Sequence, residues 1–209
     1  MSMPLQTAVR EILAPRLRAD GFTGSGQNFR RLIDSFICAV NVQGSRYGGR
    51  FAINLGLHPS GIPAANPKPV GPKQMCEADC EFRRRLSSEG SDQWWPHVDD
   101  ASLRAAMEDA GQLYESAGRK LFAVQTAPDA PLRTVTSIQF ERKGVFLSGF
   151  GATDVRQAFT LARMRYLANA HDEAAAFARI ALDRPGGALG LKRELEEIVA
   201  GTWTIEDWA

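Results

Sequence analysis

Cys76 and Cys80 stand four residues apart in CEADC, with His58 and His97 elsewhere in the chain. Thiolates and imidazoles of this kind hold zinc, but a metal needs three or four such ligands converging, and structural zinc sites usually bring two paired motifs. A single pair at this spacing predicts core or boundary thiols and no metal. Arg83, Arg84 and Arg85 follow directly and raise phosphate binding. Their expected setting is a short helix over 78–87, where consecutive residues point about 100° apart and three guanidinium groups diverge. On that helix Asp79 pairs with Arg83 and Glu81 with Arg85, which leaves Arg84 without an obvious partner, and a solvated charged face is the stronger reading of the run. Trp94 and Trp95, in SDQWWPH, offer faces on which bases could stack, yet adjacent loop residues face apart and no basic stripe accompanies them. One of the two is expected to close the core.

The fourth constellation is polar. FICAVNVQGSRYGGRFAINLGLHP, residues 36–59, reads as strands over 36–43 and 50–58 joined through GSRYGG. Alternation puts Phe36, Cys38, Val40 and Val42 on one side with Phe51, Ile53, Leu55 and Leu57. With Gln43 opposite Arg50, Val42 faces Phe51, Val40 faces Ile53 and Cys38 faces Leu55. That side is core. The other side carries Ala39, Asn41 and Gln43 beside Ala52, Asn54, Gly56 and His58. Asparagine and glycine have poor strand propensity, and keeping them on a shallow face is a local inconsistency of the sort binding sites produce. Two structural explanations stand beside it: the wet face of a one-sided sheet, or amides that hold down the proline-rich stretch that follows. The candidate ligand or partner residues are therefore Asn41, Gln43, Asn54, His58, Arg84 and Trp95. No catalytic residue is assigned. His58, His97 and His171 lack the local context of triads or zinc proteases, and the glycines of GFTGSGQ (21–27) lack the lysine and helix of a phosphate loop.

These residues need elements to position them. Leu5, Val9, Ile12, Leu13 and Leu17 recur at helical spacing up to Gly21, with Pro15 expected to kink or divide the segment. NFRRLI adds a third strand near 28–33. Residues 59–75 hold five of the eleven prolines and predict a stiff, extended arm. Asp99 or Asp100 caps a long helix striped by Leu103, Met107, Ala110, Tyr114 and Leu121. Residues 127–134 read as a boundary, and 134–141 is compatible with strand or helix. Helices follow near 154–169, 172–183 and 187–200. The middle pair has Phe177 and Pro185 at tetratricopeptide spacing, but Glu173 fills the small-residue position and no second copy exists, so it reads as a helical cap. Trp203, Ile205 and Trp208 are expected to dock on the body.

The chain has 209 residues, 44% hydrophobic and 23% charged, as an ordinary globular protein does. Residues 1–100 carry 12 basic and 10 acidic groups, and residues 101–209 carry 13 and 14. This balance argues against nucleic acid and anionic membranes as partners. Charged residues within the first twenty, the lack of a long apolar run and three sparse cysteines predict a cytoplasmic, reduced protein.

GFTGSGQNFRRL, VNVQGSRYGGRFAINLGLHP, CEADCEFRRRL and DQWW, in that order, resemble the bacterial domain-of-unknown-function 4304 family over roughly residues 5–125. The resemblance implies that Asn41, Gln43, Asn54, Gly56, Arg85, Trp94 and Trp95 occupy family motif positions. It carries across no catalytic residue and no cofactor. The expected architecture is α+β: an antiparallel sheet of about three strands backed by the first and the 100–122 helices in residues 1–126, then an all-helical subdomain over 127–209. The expected function is non-catalytic binding through protein–protein contact, with toxin neutralisation or bacterial conflict as the analogy. The rival is a small-molecule or nucleotide-acting enzyme that uses the polar face of the hairpin.

Overall fold

A computed structural model describes residues 3–64, 71–88, 92–145, 147–184 and 189–205. Residues 65–70 of the proline-rich arm, Pro185 and Trp208 lie outside them. The first helix, α1, runs through Leu5–Ala8, a widened π turn at Val9–Leu13, and Ala14–Ala19. The widening explains how the helix continues past Pro15: the amide of Ala14 reaches back to Val9, just before the residue that has no N–H to offer. Strands β1 (Thr23–Ser25), β2 (Asn28–Ile33), β3 (Phe36–Gly44) and β4 (Arg50–Pro59) form an antiparallel meander. Strand β5 (Phe82–Arg85) and the short β6 (Trp95–Pro96) both pair with β4, so the sheet has six strands among the described residues rather than about three.

The expected helix over 78–87 does not form. A single 3₁₀ turn at Glu77–Asp79 leads into β5, because β4 offers a free edge and FRRR satisfies its backbone there. The ion pairs expected along that helix are absent for the same reason. The hairpin register also differs from expectation. Asn41 pairs with Asn54, Val42 with Ile53 and Val40 with Leu55, an offset of two residues, since Gly44 stays in β3 opposite Phe51 and the turn closes by Ser45 N–H donating to Arg50 at 2.9 Å. An offset of two leaves every side chain on its original face, so apolar alternation does not distinguish the two registers.

Helix α2 comprises Asp100–Leu113, a π turn at Tyr114–Gly118, and Arg119–Thr126. Asp99 caps it by accepting from the Ser102 amide at 2.8 Å. The ambiguous 134–141 stretch resolves as helix: α3 is Ser137–Lys143, opened by a Thr136–Gln139 capping box. Helices α4 (Asp154–Leu167), α5 (His171–Leu182) and α6 (Leu189–Ala200) follow. No helix among the described residues is long and apolar enough to cross a membrane.

One hydrophobic core joins Val9, Leu13 and Leu17 of α1, the inner face of the sheet, Met107 and Tyr114 of α2, and Phe140, Phe159 and Phe177 of the later helices. Trp203 docks there too, edge-on against Tyr166. The outer face is divided. Ile37, Ala39, Met75 and Cys80 make a small second cluster where the chain after β4 folds back over the sheet.

Gly56 lies beneath that cover. A methyl group added there would stand 2.7 Å from Cys80 Sγ, closer than atoms tolerate, and at a tight 3.1 Å from the Glu77 Cα. Gly56→Ala is therefore expected to destabilise the protein by about 1–3 kcal/mol. Gly151→Ala, whose methyl meets nothing closer than 3.6 Å, serves as the control and should lose clearly less in thermal denaturation.

Candidate functional site

The uncovered half of the outer face is built on a row of side chains that crosses four strands. Asn28, Asn41, Asn54 and Arg85 are successive partners on β2, β3, β4 and β5. Because neighbours on one sheet face stand within side-chain reach, their polar ends meet. Asn41 Nδ2 donates to Asn28 Oδ1 at 2.8 Å, and Asn54 Nδ2 donates to Asn41 Oδ1 at 3.3 Å and Gln43 Oε1 at 2.9 Å. Arg85 then donates from Nε to Asn54 Oδ1 at 3.2 Å and from a terminal nitrogen to Gln43 Oε1 at 3.0 Å. The same guanidinium pairs with Asp92 at 3.0 Å and lies 4.6 Å over the Trp94 ring, which also carries the Arg50 guanidinium at 4.9 Å.

Asn54 is only 8% exposed, and both its amide and its carbonyl are used within the row. The network thus removes the usual penalty for polar groups on a half-covered face and fixes their rotamers. Among the described residues the amides bond to one another and to the Gln27 carbonyl, and to no residue of the proline-rich arm.

The sequence-derived candidates divide among three places. Asn41, Gln43 and Asn54 meet in the row. His58 shares their face but sits at its covered end, fully buried, with Nε2 donating to the Ile62 carbonyl at 3.0 Å. Arg84 and Trp95 turn inward. On a strand, side chains alternate, so Arg83 and Arg85 face outward and Arg84 faces in beside Leu55, where it donates to the Ser148 carbonyl. Trp95 opposes Phe51, stacks on it with centroids 5.7 Å apart, and donates its indole N–H to Asp109 at 2.7 Å. Trp94, not Trp95, is the aromatic of the polar row. Reading β5 as a helix is what placed Arg84, rather than Arg85, among the candidates.

Glu81, Arg156 and Arg163 form a buried ionic cluster that helical pairing had concealed. The Glu81 carboxylate bonds Arg156 at 2.9 Å and Arg163 at 2.7 Å, and Arg163 also reaches the Pro63 carbonyl. Burial alone would raise the Glu81 carboxyl; the two guanidinium groups outweigh it and hold it below the ordinary carboxylate value. Burial lowers the pKa of His58, and its hydrogen bond to Ile62 offsets only part of that. Its Nδ1 has no partner among the described residues.

Cys80 Sγ donates to the Cys76 carbonyl and Cys76 Sγ to the Asp79 carboxylate. Burial pushes both thiols up, away from the thiolate a metal would need. Among the described residues no group of three or more histidine, cysteine and carboxylate side chains is arranged to hold a metal ion.

Two predictions follow from these placements. Trp95→Ala should cost about 3–5 kcal/mol in denaturant unfolding, whereas Trp94→Ala, at the half-buried surface, should cost about 1 kcal/mol or less. Stability should also fall in two steps on acidification. The unfolded chain takes up a proton at His58 near its ordinary value of 6.5 while the folded chain resists, so the first loss begins as pH drops through that value. The second begins as pH drops through 4.5, the ordinary value for Glu81. In His58→Gln, which keeps a donor for Ile62, the first step should vanish from melting curves and the second remain.

No curated protein and no solved structure matches this chain. One family profile does, over residues 13–123, a span that contains α1 from Leu13, the whole sheet and α2 nearly to its end. The match covers 111 of the 209 residues and includes every member of the polar row. The chain belongs to the family described as Domain of unknown function (DUF4304).

Proposed function

We propose that the protein is a non-catalytic binding protein that makes protein–protein contact through the uncovered half of the outer sheet face. The observation that carries this reading is the Arg85–Trp94–Arg50 stack seated on a hydrogen-bonded amide row. Tryptophan, tyrosine and arginine are the residues that anchor protein interfaces, because they bury large areas and lose little entropy when already held in place. Here a rigid row holds two of them. At the adjoining hairpin tip Tyr47 is 77% exposed, with the Arg46 guanidinium 4.6 Å from its ring centre.

Chemistry argues against catalysis at the row. Its members are amides and guanidinium groups, which neither take nor give protons near neutrality. His58, the group that could, is buried at the far end with its Nε2 committed to Ile62.

A photo-crosslinking amino acid placed at Tyr47, in protein expressed in its native cells, tests the reading. It should yield a discrete protein adduct that is missing when the same group is placed at Val124, an exposed position on α2. Adducts common to both positions, or none at Tyr47, would overturn it.

A further inference from the structure

We infer that the partner docks an acidic segment on this face, with its carboxylates meeting Arg30 and Arg50 on either side of the amide row. The inference rests on the protein-binding reading above and adds the chemistry of what is bound.

Strand alternation places Arg30 on the same face as Asn28, and Arg50 on the same face as Asn54. Arg85 stands between them in the row. Three guanidinium groups thus share the outer face: Arg85 in the amide row, Arg50 toward the hairpin tip, and Arg30 on β2 in the next row, opposite Ala39. Among the described residues Asp92 is the carboxylate bonded to any of them, and it belongs to Arg85. Arg30 and Arg50 have no ion pair there, and Arg30 Nε is buried without a hydrogen-bond partner. Elsewhere on the molecule several arginines are matched by carboxylates, Arg16 by Glu108, Arg119 by Asp20, Arg83 by Glu77 and Arg156 by Glu81, while Arg84 and Arg165 donate to backbone carbonyls. A partly buried guanidinium with an orphaned N–H is costly unless an acceptor arrives, and a carboxylate is the acceptor whose geometry fits it best. Arg46 at the hairpin tip extends the same sign of charge.

A nucleic acid would also bring anions, but two features favour a peptide. Guanidinium groups already lie over the Trp94 ring, where a base would have to stack, and the amides of Asn41 and Asn54 are spent on one another, leaving few groups to read base edges. The near-neutral chain also lacks the long basic tract that tracks a phosphate backbone.

The test uses the full chain and three fluorescent probes: a short peptide of alternating glutamate and alanine, the same peptide with glutamine for glutamate, and a single-stranded oligothymidine. Fluorescence anisotropy should show the glutamate peptide binding most tightly, with affinity falling as salt rises from about 50 to 200 mM. In Arg30→Gln/Arg50→Gln it should weaken about tenfold, with the melting temperature kept as a check on folding. Equal binding of the glutamine peptide, tighter binding of the oligothymidine, or a glutamate peptide unaffected by the double substitution would each overturn the inference. If the Tyr47 crosslink captures a protein while the glutamate peptide does not bind, the acidic-segment inference fails and the protein-binding reading stands; if neither occurs, both fail.

Discussion

The Glu81 carboxylate, held between Arg156 and Arg163, decides how the sheet meets the helices that follow it. It is a charge with no exposure to water, and its two partners come from one face of α4. Such a group is tolerated only while its counter-charges stay in place, so the position of α4 against the start of β5 is tightly constrained. Arg163 passes the constraint on, since it also bonds the Pro63 carbonyl and lies 4.0 Å over Phe159. The chain that leaves β4 is thereby tied to the helices as well as to the sheet, and His58 is sealed beneath it.

From this follows the unequal treatment of the two halves of the outer face. At one end small residues, Ala39 and Gly56, admit a close backbone cover, and Cys80 seats against them. At the other end the amides, Arg85 and the Trp94 ring satisfy one another and leave Ala52 and Asn54 shielded from water. Both halves contain residues of low strand propensity, for different reasons: Gly56 makes room for a neighbour, while the asparagines supply hydrogen bonds. Propensity alone does not separate these uses.

The apolar alternation of the hairpin and the stripes of the later helices were legible because burial imposes period on a sequence. Strand β5 was not, since Phe82 is the sole apolar residue in FRRR and acidic residues four before the arginines imitate a helix face. What made it a strand was the free edge of β4, a tertiary circumstance. The same gap explains the site. Asn41, Gln43 and Asn54 stood out as polar groups on a strand, while Arg85 was assigned to Glu81 and Asn28 was lost within a run of ordinary polarity. Their parity only becomes informative once the strand order is known.

The amide row has a consequence for assembly of the sheet itself. Apolar patterning accepts β3 and β4 in two alignments that differ by a pair of residues, and both hide the same side chains. In the alternative, Asn41 would stand opposite Ala52 and Asn54 opposite Ala39, so each amide would lose its cross-strand partner. Only the observed alignment lets one asparagine complete the next, with Asn28 and Arg85 closing the ends. The polar groups thus work as a key, much as a single buried asparagine sets alignment in a coiled coil. They choose among arrangements that hydrophobicity leaves degenerate, and the surface they present is ordered because that choice has been made.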